Sequence, residues 1–139
     1  MAQHPVELIL ARQLASQLAV PVLLVDARGD TLFFNESAEL ILGVSFDEIE
    51  ALSFEERTRI LAPRLPDGQP LPVQELPGMI AMRERQPVHA TLQIHGVDGV
   101  LRPVEATAIP LESAGGQVLG TLVVMRSQAL GGPGLRERA

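Results

Sequence analysis

Three strand-like segments joined by two short turns fill the C-terminal part of the chain. Residues 89–97 and 101–111 alternate apolar with polar positions, and residues 117–125 form a nearly continuous apolar run. Asp98-Gly99, a dipeptide favoured in hairpin turns, separates the first two segments, and Ser113–Gly116 separates the last two. Because strands joined this closely run antiparallel, the pattern predicts an antiparallel meander.

The preceding residues predict a second hairpin and several short helices. Strands at 22–26 and 31–34 flank the turn Ala27–Asp30, and a helix at 5–19 comes before them. Asn35 is a suitable N-cap and Gly43 a suitable C-cap for the helix between them. Ser45 and Ser53 each precede a Glu by three residues, the capping-box spacing that begins a helix. A proline-rich loop at 63–77 and a helix at 77–86 follow, so we expect an α+β fold with five antiparallel strands.

Composition narrows the possible functions. With 139 residues the chain is long enough for one domain. It has no cysteine, which excludes disulfides, thiolate metal sites, cysteine nucleophiles and flavin–cysteinyl chemistry. A net charge of −6 and the absence of Trp and Tyr argue against nucleic-acid binding. No apolar run reaches membrane-spanning length and no signal peptide is evident, so we expect a cytoplasmic protein without membrane association. His89 and His95 share a strand face but have no third ligand, so no metal site is expected.

The order of these segments resembles that of PAS domains. The resemblance lies in Asp26–Gly29, in Thr31–Asn35 running into Ser37–Glu39, in Asp98-Gly99, in Val104–Leu111 and in Gly116–Gly120. It implies a five-stranded antiparallel sheet with short helices on one face and the N-terminal helix on the other. The expected organisation is a flanking helix at 1–19, a PAS domain at 20–127 and a disordered tail at 128–139.

The resemblance also implies a function. PAS domains are sensory and dimerising modules of bacterial signalling proteins, in two-component and transcription regulation, and many hold a small ligand between sheet and helices. They act on an effector protein and are not enzymes. The Asp-x-Thr motif that usually follows the last strand is replaced here by Met125–Gln128, which places coupling to a C-terminal effector in doubt.

The strand parity implied by the resemblance gives a candidate ligand pocket. Its expected lining is almost wholly apolar, which favours a small lipophilic ligand and neither haem nor flavin. Two alternatives stay open: a core filled by side chains in a ligand-free dimerisation domain, and a small enzyme acting on an apolar substrate, which would need an inward acid or base. The residues expected to line the pocket are Leu23, Val25, Phe33, Met79, Met82, Leu92, Ile94, Val104, Ala106, Ala108, Val118 and Leu122.

The N-terminal helix gives a candidate dimer interface. Its apolar stripe recurs every four residues, and the outer face of the sheet should expose apolar side chains that need cover. We therefore expect a homodimer built on this helix and this sheet face, the alternative being a monomer whose helix folds back on its own sheet. The expected interface residues are Val6, Ile9, Leu10, Leu14, Leu18, Leu32 and Phe34.

Overall fold

All five strands pair into one antiparallel sheet. The computed structural model describes residues 5–49 and 52–127, and the predicted tail at 128–139 lies outside them. The strand order is β2-β1-β5-β4-β3, so the meander β3-β4-β5 adds the N-terminal hairpin at its β5 side. This confirms the predicted five-stranded sheet and α+β class. The strands are β1 (Val22–Asp26), β2 (Thr31–Phe34), β3 (Val88–His95), β4 (Leu101–Glu112) and β5 (Val118–Ser127).

In the described ranges, five helices and one 3₁₀ turn connect or cover the strands. Ser53 begins α4 with a capping box, since its side chain accepts from the Glu56 N–H and the Glu56 carboxylate accepts from the Ser53 N–H. No helix in the described part of the chain is long and apolar enough to cross a bilayer. The helices are α1 (Val6–Gln17), α2 (Glu36–Leu42), α3 (Phe46–Ile49), α4 (Phe54–Leu61) and α5 (Pro77–Glu84), and the 3₁₀ turn is Val73–Glu75.

The proline-rich loop contacts the exposed edge of β3. The Arg64 N–H donates to the Gln93 carbonyl and the Gln93 N–H donates to the Arg64 carbonyl, both at 2.8 Å. This single bridge satisfies backbone groups that an edge strand would otherwise leave unpaired. The loop therefore belongs to the sheet edge as well as linking α4 to α5.

The two faces of the sheet bury different apolar clusters. Along β1, Leu23 and Val25 belong to the cluster under α2, while Leu24 belongs to the cluster under α1. The helix-side cluster is Leu23, Val25, Phe34, Ala38, Ile41, Leu42, Leu92, Ile94, Val104, Ala106 and Met125. The outer cluster is Leu8, Leu24 and Leu119, with Ala11, Leu32, Phe33, Leu111 and Leu122 packed against it.

The predicted parity of β2 is wrong at its end. Phe33, expected in the pocket, packs in the outer cluster, and Phe34, expected at the dimer interface, is buried in the helix-side cluster. The cause is a register shift between β1 and β2: Leu23 pairs with Phe34, but Val25 pairs with Thr31. The extra residue of this bulge reverses the strict alternation on which the prediction depended.

The predicted parity of β5 is also wrong. Leu122 pairs with Leu24 and lies in the outer cluster, whereas Met125 is buried on the helix side with Val123 packed against that cluster. Residues 118–125 are apolar at nearly every position, so a period of two offers no choice between the faces. Only pairing with β1 decides the orientation.

Helix α1 covers the outer face as expected, but with a different side. Leu8 and Ala15 are buried against the sheet and Ala11 packs beside them, at a spacing of three and four residues. The predicted stripe faces away, so it does not cover the sheet. Apolar residues occur on most sides of this helix, and the small alanines allow close approach to the strands.

Asn35 begins α2 as predicted and also ties α2 to the segment before β1. Its Oδ1 accepts from the N–H groups of Ala38 and Val22, both at 3.0 Å. Its Nδ2 donates to the carbonyls of Ala15 at 3.0 Å and Val20 at 2.8 Å. The residue is 2% exposed, so these bonds form away from water. At the other end of α2, Gly43 adopts a φ of +76°, the left-handed C-cap that glycine favours.

Replacing Asn35 is therefore expected to cost more than the loss of a helix cap. Asn35→Ala removes a helix cap worth about 1 kcal/mol. It also leaves buried backbone groups without hydrogen-bond partners, at about 1–3 kcal/mol each, so we expect the free energy of unfolding to fall by about 3 kcal/mol or more. Urea denaturation measures it. Ser37→Ala is the control, because the exposed Ser37 hydroxyl donates only to the Ala19 carbonyl. Equal losses in the two variants would contradict the assignment.

Candidate functional site

A cavity lies between the helix-side face of the sheet and helices α4 and α5. Its volume is about 110 Å³, it is partly open to solvent, and its walls are mainly apolar. Strands β1, β3, β4 and β5 form its floor, because inward residues on antiparallel strands lie side by side on one face. A cavity of this size is below the usual range of about 300–1,000 Å³ for drug-sized ligands, so only a small molecule fits.

Most of the residues predicted for the pocket meet in this cavity. Ala108 is fully buried on the same strand face as Ala106 but lies outside the lining, and Val118 pairs with Glu112 near the end of the sheet. Phe33 and Leu122 lie in the outer cluster, as the strand registers require. The predicted residues that line the cavity are Leu23, Val25, Met79, Met82, Leu92, Ile94, Val104 and Ala106.

Helix α4 contributes a wall that the sequence analysis missed. Phe54, Leu61 and the pair Arg57-Thr58 line the cavity. They recur at intervals of three, four and seven residues, which places them on one helix face. That spacing is visible in the sequence, but four charged residues lie between Phe54 and Leu61, and the capping box alone does not indicate which face of the helix is buried. Leu42, Val123 and Met125 also line the cavity and were missed.

The first turn of α5 forms the opposite wall. Leu76, Pro77 and Gly78 line the cavity together with Met79 and Met82, whose flexible side chains adapt to irregular space. A side chain added at Gly78 would meet only the Thr121 Cγ2, at 3.9 Å. The helix therefore leaves open space at its beginning.

Arg57 is the one charged side chain among the described residues that line the cavity. Its Nη1 donates to the Gly29 carbonyl at 2.7 Å and to the Thr31 hydroxyl at 2.9 Å, which ties α4 to the β1–β2 hairpin. Burial lowers the pKa of Arg57 to about 10, and the nearby carboxylates of Asp30 and Asp26 act in the opposite direction. The guanidinium is therefore cationic at neutral pH.

The described lining offers little for acid–base or metal chemistry. It contains no carboxylate, imidazole or amide side chain. In the described ranges no group of three or more His, Asp or Glu residues is placed to hold a metal ion. His89 instead shares a hydrogen bond of 2.9 Å with the Thr107 hydroxyl on the outer sheet face. The arrangement suits the binding of a small, mainly apolar molecule.

A second surface of interest is the exposed side of α1. We call Val6, Ile9, Leu10, Leu14 and Leu18 the α1 apolar face; their exposed fractions range from 37% to 65%. A shallow groove beside it is lined by Leu8, Ile9 and Arg12 of α1 and by Leu32 and Phe33 of β2. Six of the seven residues predicted for a dimer interface lie on or beside this surface, namely the five of the α1 apolar face and Leu32. The seventh, Phe34, is buried in the helix-side cluster.

Thr121 offers a test of the packing beneath α5. It is 0% exposed on the helix-side face, and its Oγ1 has no hydrogen-bond partner in the structure. Thr121→Val replaces the hydroxyl with a methyl group of similar shape, so we expect the free energy of unfolding to stay unchanged or rise by about 1 kcal/mol. Thermal and urea unfolding measure it. A loss above about 1 kcal/mol would show that the hydroxyl is bonded in the folded protein.

Comparisons with known proteins agree with this geometry. The family model described as PAS fold matches residues 10–127. The PAS domain of Bordetella pertussis BvgS is similar, with 18% identity, a TM-score of 0.58 and coverage of 88% of this chain and 86% of that one. The PAS domain of nitrogen regulation protein NR(II) from Vibrio parahaemolyticus has 18% identity and a TM-score of 0.60, over 86% and 98% of the chains.

A further solved structure extends the comparison. A PAS domain from a two-component sensor histidine kinase has 13% identity and a TM-score of 0.60, over 88% of this chain and 96% of that one. At these identities the solved structures support the fold alone. No curated protein matches the chain in sequence.

Proposed function

We propose that this chain, which belongs to the PAS family, is a sensory and interaction module of bacterial signal transduction. In this proposal it binds a small, mainly apolar ligand in the cavity and associates with a second copy of itself through α1. It regulates an effector protein and performs no catalysis. The observation that carries the proposal is the apolar cavity between the sheet and helices α4 and α5.

The walls of the cavity support the ligand part of the proposal. Ala106 and Gly78 carry small or no side chains where the sheet faces α5, and three methionines, Met79, Met82 and Met125, also line the cavity. Transfer of an apolar molecule from water to such walls is favourable by roughly 25 cal/mol per Å² of buried apolar surface. A strongly polar ligand would lose its hydration against walls that offer few hydrogen bonds.

The same walls favour binding over catalysis. A small enzyme acting on an apolar substrate would need a general acid or base within reach of that substrate. The described lining provides only Arg57 and Thr58 as polar side chains, and the pKa of Arg57 remains too high for it to act as a base at neutral pH. Sensing therefore fits the site better than an enzymatic reaction.

The α1 apolar face supports self-association. Four large apolar side chains exposed on one short helix, with Leu18 at its C-cap, form a patch of the kind that marks interaction sites. The neighbouring groove ends on Leu32 and Phe33 at the β2 edge, and it would accept the apolar side of a second α1. Because the partner is an identical chain, both copies would use the same surface.

The solved structures of similar fold support the signalling setting. One of them is a PAS domain of a two-component sensor histidine kinase. The alternative is that the chain is a dimerisation domain that binds no ligand and whose own side chains fill the core. A small molecule that co-purifies with the chain would separate the two functions.

Substitutions on the α1 apolar face are expected to separate association from folding. Leu10→Ser/Leu14→Ser should convert a dimer to a monomer at micromolar concentration, measured by light scattering. The cost in folding stability should be below about 1 kcal/mol, because both side chains are exposed.

Leu40→Ser is the matched control for this variant. Leu40 is 78% exposed on α2, so it loses a similar apolar side chain away from α1 and should remain dimeric. A wild-type chain that is already monomeric at these concentrations contradicts the association part of the proposal.

Native mass spectrometry of the full chain tests both parts at once. We expect a dimer in which each chain carries a small noncovalent adduct that denaturing conditions remove. A dimer without an adduct favours the ligand-free dimerisation domain. A bare monomer contradicts the proposed function.

A further inference from the structure

Arg57 is the one cation among the described residues that line the mainly apolar cavity. Arg57 lines it beside Phe54 and Leu61, and its Cζ lies 5.5 Å from the centre of the Phe54 ring. A guanidinium in such a place is costly to desolvate unless it is paired. Arg57 meets part of this cost because it is only half-buried and donates to the Gly29 carbonyl and the Thr31 hydroxyl.

The hydrogen bonds of Arg57 leave part of the guanidinium unused. Of its five N–H donors, those on Nη1 reach the Gly29 carbonyl and the Thr31 hydroxyl. Within residues 5–49 and 52–127, neither Nε nor Nη2 donates a hydrogen bond to a protein acceptor, and neither is a buried unpartnered atom, so both remain accessible to solvent and to a ligand. Such a fork of two N–H groups is the geometry that binds a carboxylate through two parallel bonds.

The nearest carboxylates are committed to other groups. One oxygen of Asp26 accepts from the N–H groups of Arg28 and Asp30, at 2.9 and 3.0 Å. Asp30 accepts from the Phe54 N–H at 2.7 Å and pairs with Arg28 at 3.4 Å. These carboxylates stabilise the charge on Arg57 through space, but they accept no hydrogen bond from its Nε or Nη2.

The size of the cavity limits the rest of the ligand. An apolar cavity of about 150 Å³ in another protein holds one benzene molecule, so about 110 Å³ suits a tail of roughly four or five carbon atoms. Since the chain carries a net charge of −6, its overall field repels anions, and an anion bound here would be held by local contacts.

We propose that the ligand of the cavity is a short-chain aliphatic carboxylate, with its tail among the apolar walls and its carboxylate paired with Arg57. This inference rests on the proposed function, because it names the class of ligand for the same cavity. The carboxylate lies towards α4, and the tail extends towards Met79 and Met82 on α5.

Hexanoate and hexanamide are the probes that test this inference on the full chain at pH 7. The two molecules have the same tail and differ in the charge of the head group. We expect hexanoate to bind at least tenfold more tightly than hexanamide, because a charge-assisted pair with a guanidinium is stronger than a neutral hydrogen bond. Chemical-shift titration by NMR gives both dissociation constants.

Two neighbouring arginines on α4 provide a matched pair of variants. Arg57→Gln should weaken hexanoate binding about tenfold and weaken hexanamide binding by a much smaller factor. Arg59→Gln removes the same charge from an exposed position outside the cavity lining and should change neither. Arg57→Lys keeps the charge without the two-pronged fork, so its hexanoate affinity should lie between those of wild type and Arg57→Gln.

The outcomes separate this inference from the proposed function. Equal binding of the two probes by wild type overturns the carboxylate assignment and leaves the apolar-ligand function standing. Equal loss of hexanoate binding in Arg57→Gln and Arg59→Gln also overturns it. If neither probe binds at millimolar concentration, both this inference and the ligand part of the proposed function fail. The wild-type comparison is decisive even if Arg57→Gln does not fold.

Discussion

The carboxamide of Asn35 joins the end of α1, the beginning of β1 and the first turn of α2. It bonds two N–H groups and three carbonyls of these segments, the Leu18 carbonyl at the longest distance of 3.4 Å, in a place closed to water. A buried amide that uses both its acceptor and its donors has one orientation and tolerates little displacement of its partners. It therefore fixes α1 to one side of the sheet and α2 to the other.

Strand β1 lies between the cavity on one face of the sheet and helix α1 on the other. Leu23 and Val25 line the cavity, and Leu24, between them, belongs to the cluster that holds Leu8 of α1. A ligand that displaces β1 or its neighbour β5 thus acts on residues directly beneath α1. This contiguity places the cavity and α1 on opposite faces of the same strand, as the proposed function through α1 would require.

The order of the elements could be predicted from the sequence because local chemistry specifies each boundary. Asn35, Gly43 and the Ser53–Glu56 capping box mark helix ends, and Asp98-Gly99 marks a turn, without help from tertiary contacts. The directions of side chains in β2 and β5 could not be predicted. Both strands are apolar on both faces, and β2 contains a bulge that only its pairing with β1 reveals.

The buried sides of helices α1 and α4 could not be predicted from the sequence either. The regular stripe from Val6 to Leu18 is more hydrophobic than the side of α1 that packs, where Ala11 and Ala15 allow close contact with the sheet. Arg57 was overlooked because a charged residue in a polar helix is ordinarily exposed. Its place in the cavity wall follows from hydrogen bonds to the β1–β2 hairpin, which no local pattern encodes.

Amide hydrogen exchange on Asn35→Asp tests the role of Asn35 most directly. The carboxylate keeps the two acceptor interactions of Asn35 and loses the donors to the Ala15 and Val20 carbonyls. The account predicts that the amides of α1 lose far more protection than those of β4 and β5, which serve as references in the same molecule. If α1 keeps its protection relative to those strands, Asn35 does not hold the helix to the sheet and the account is wrong.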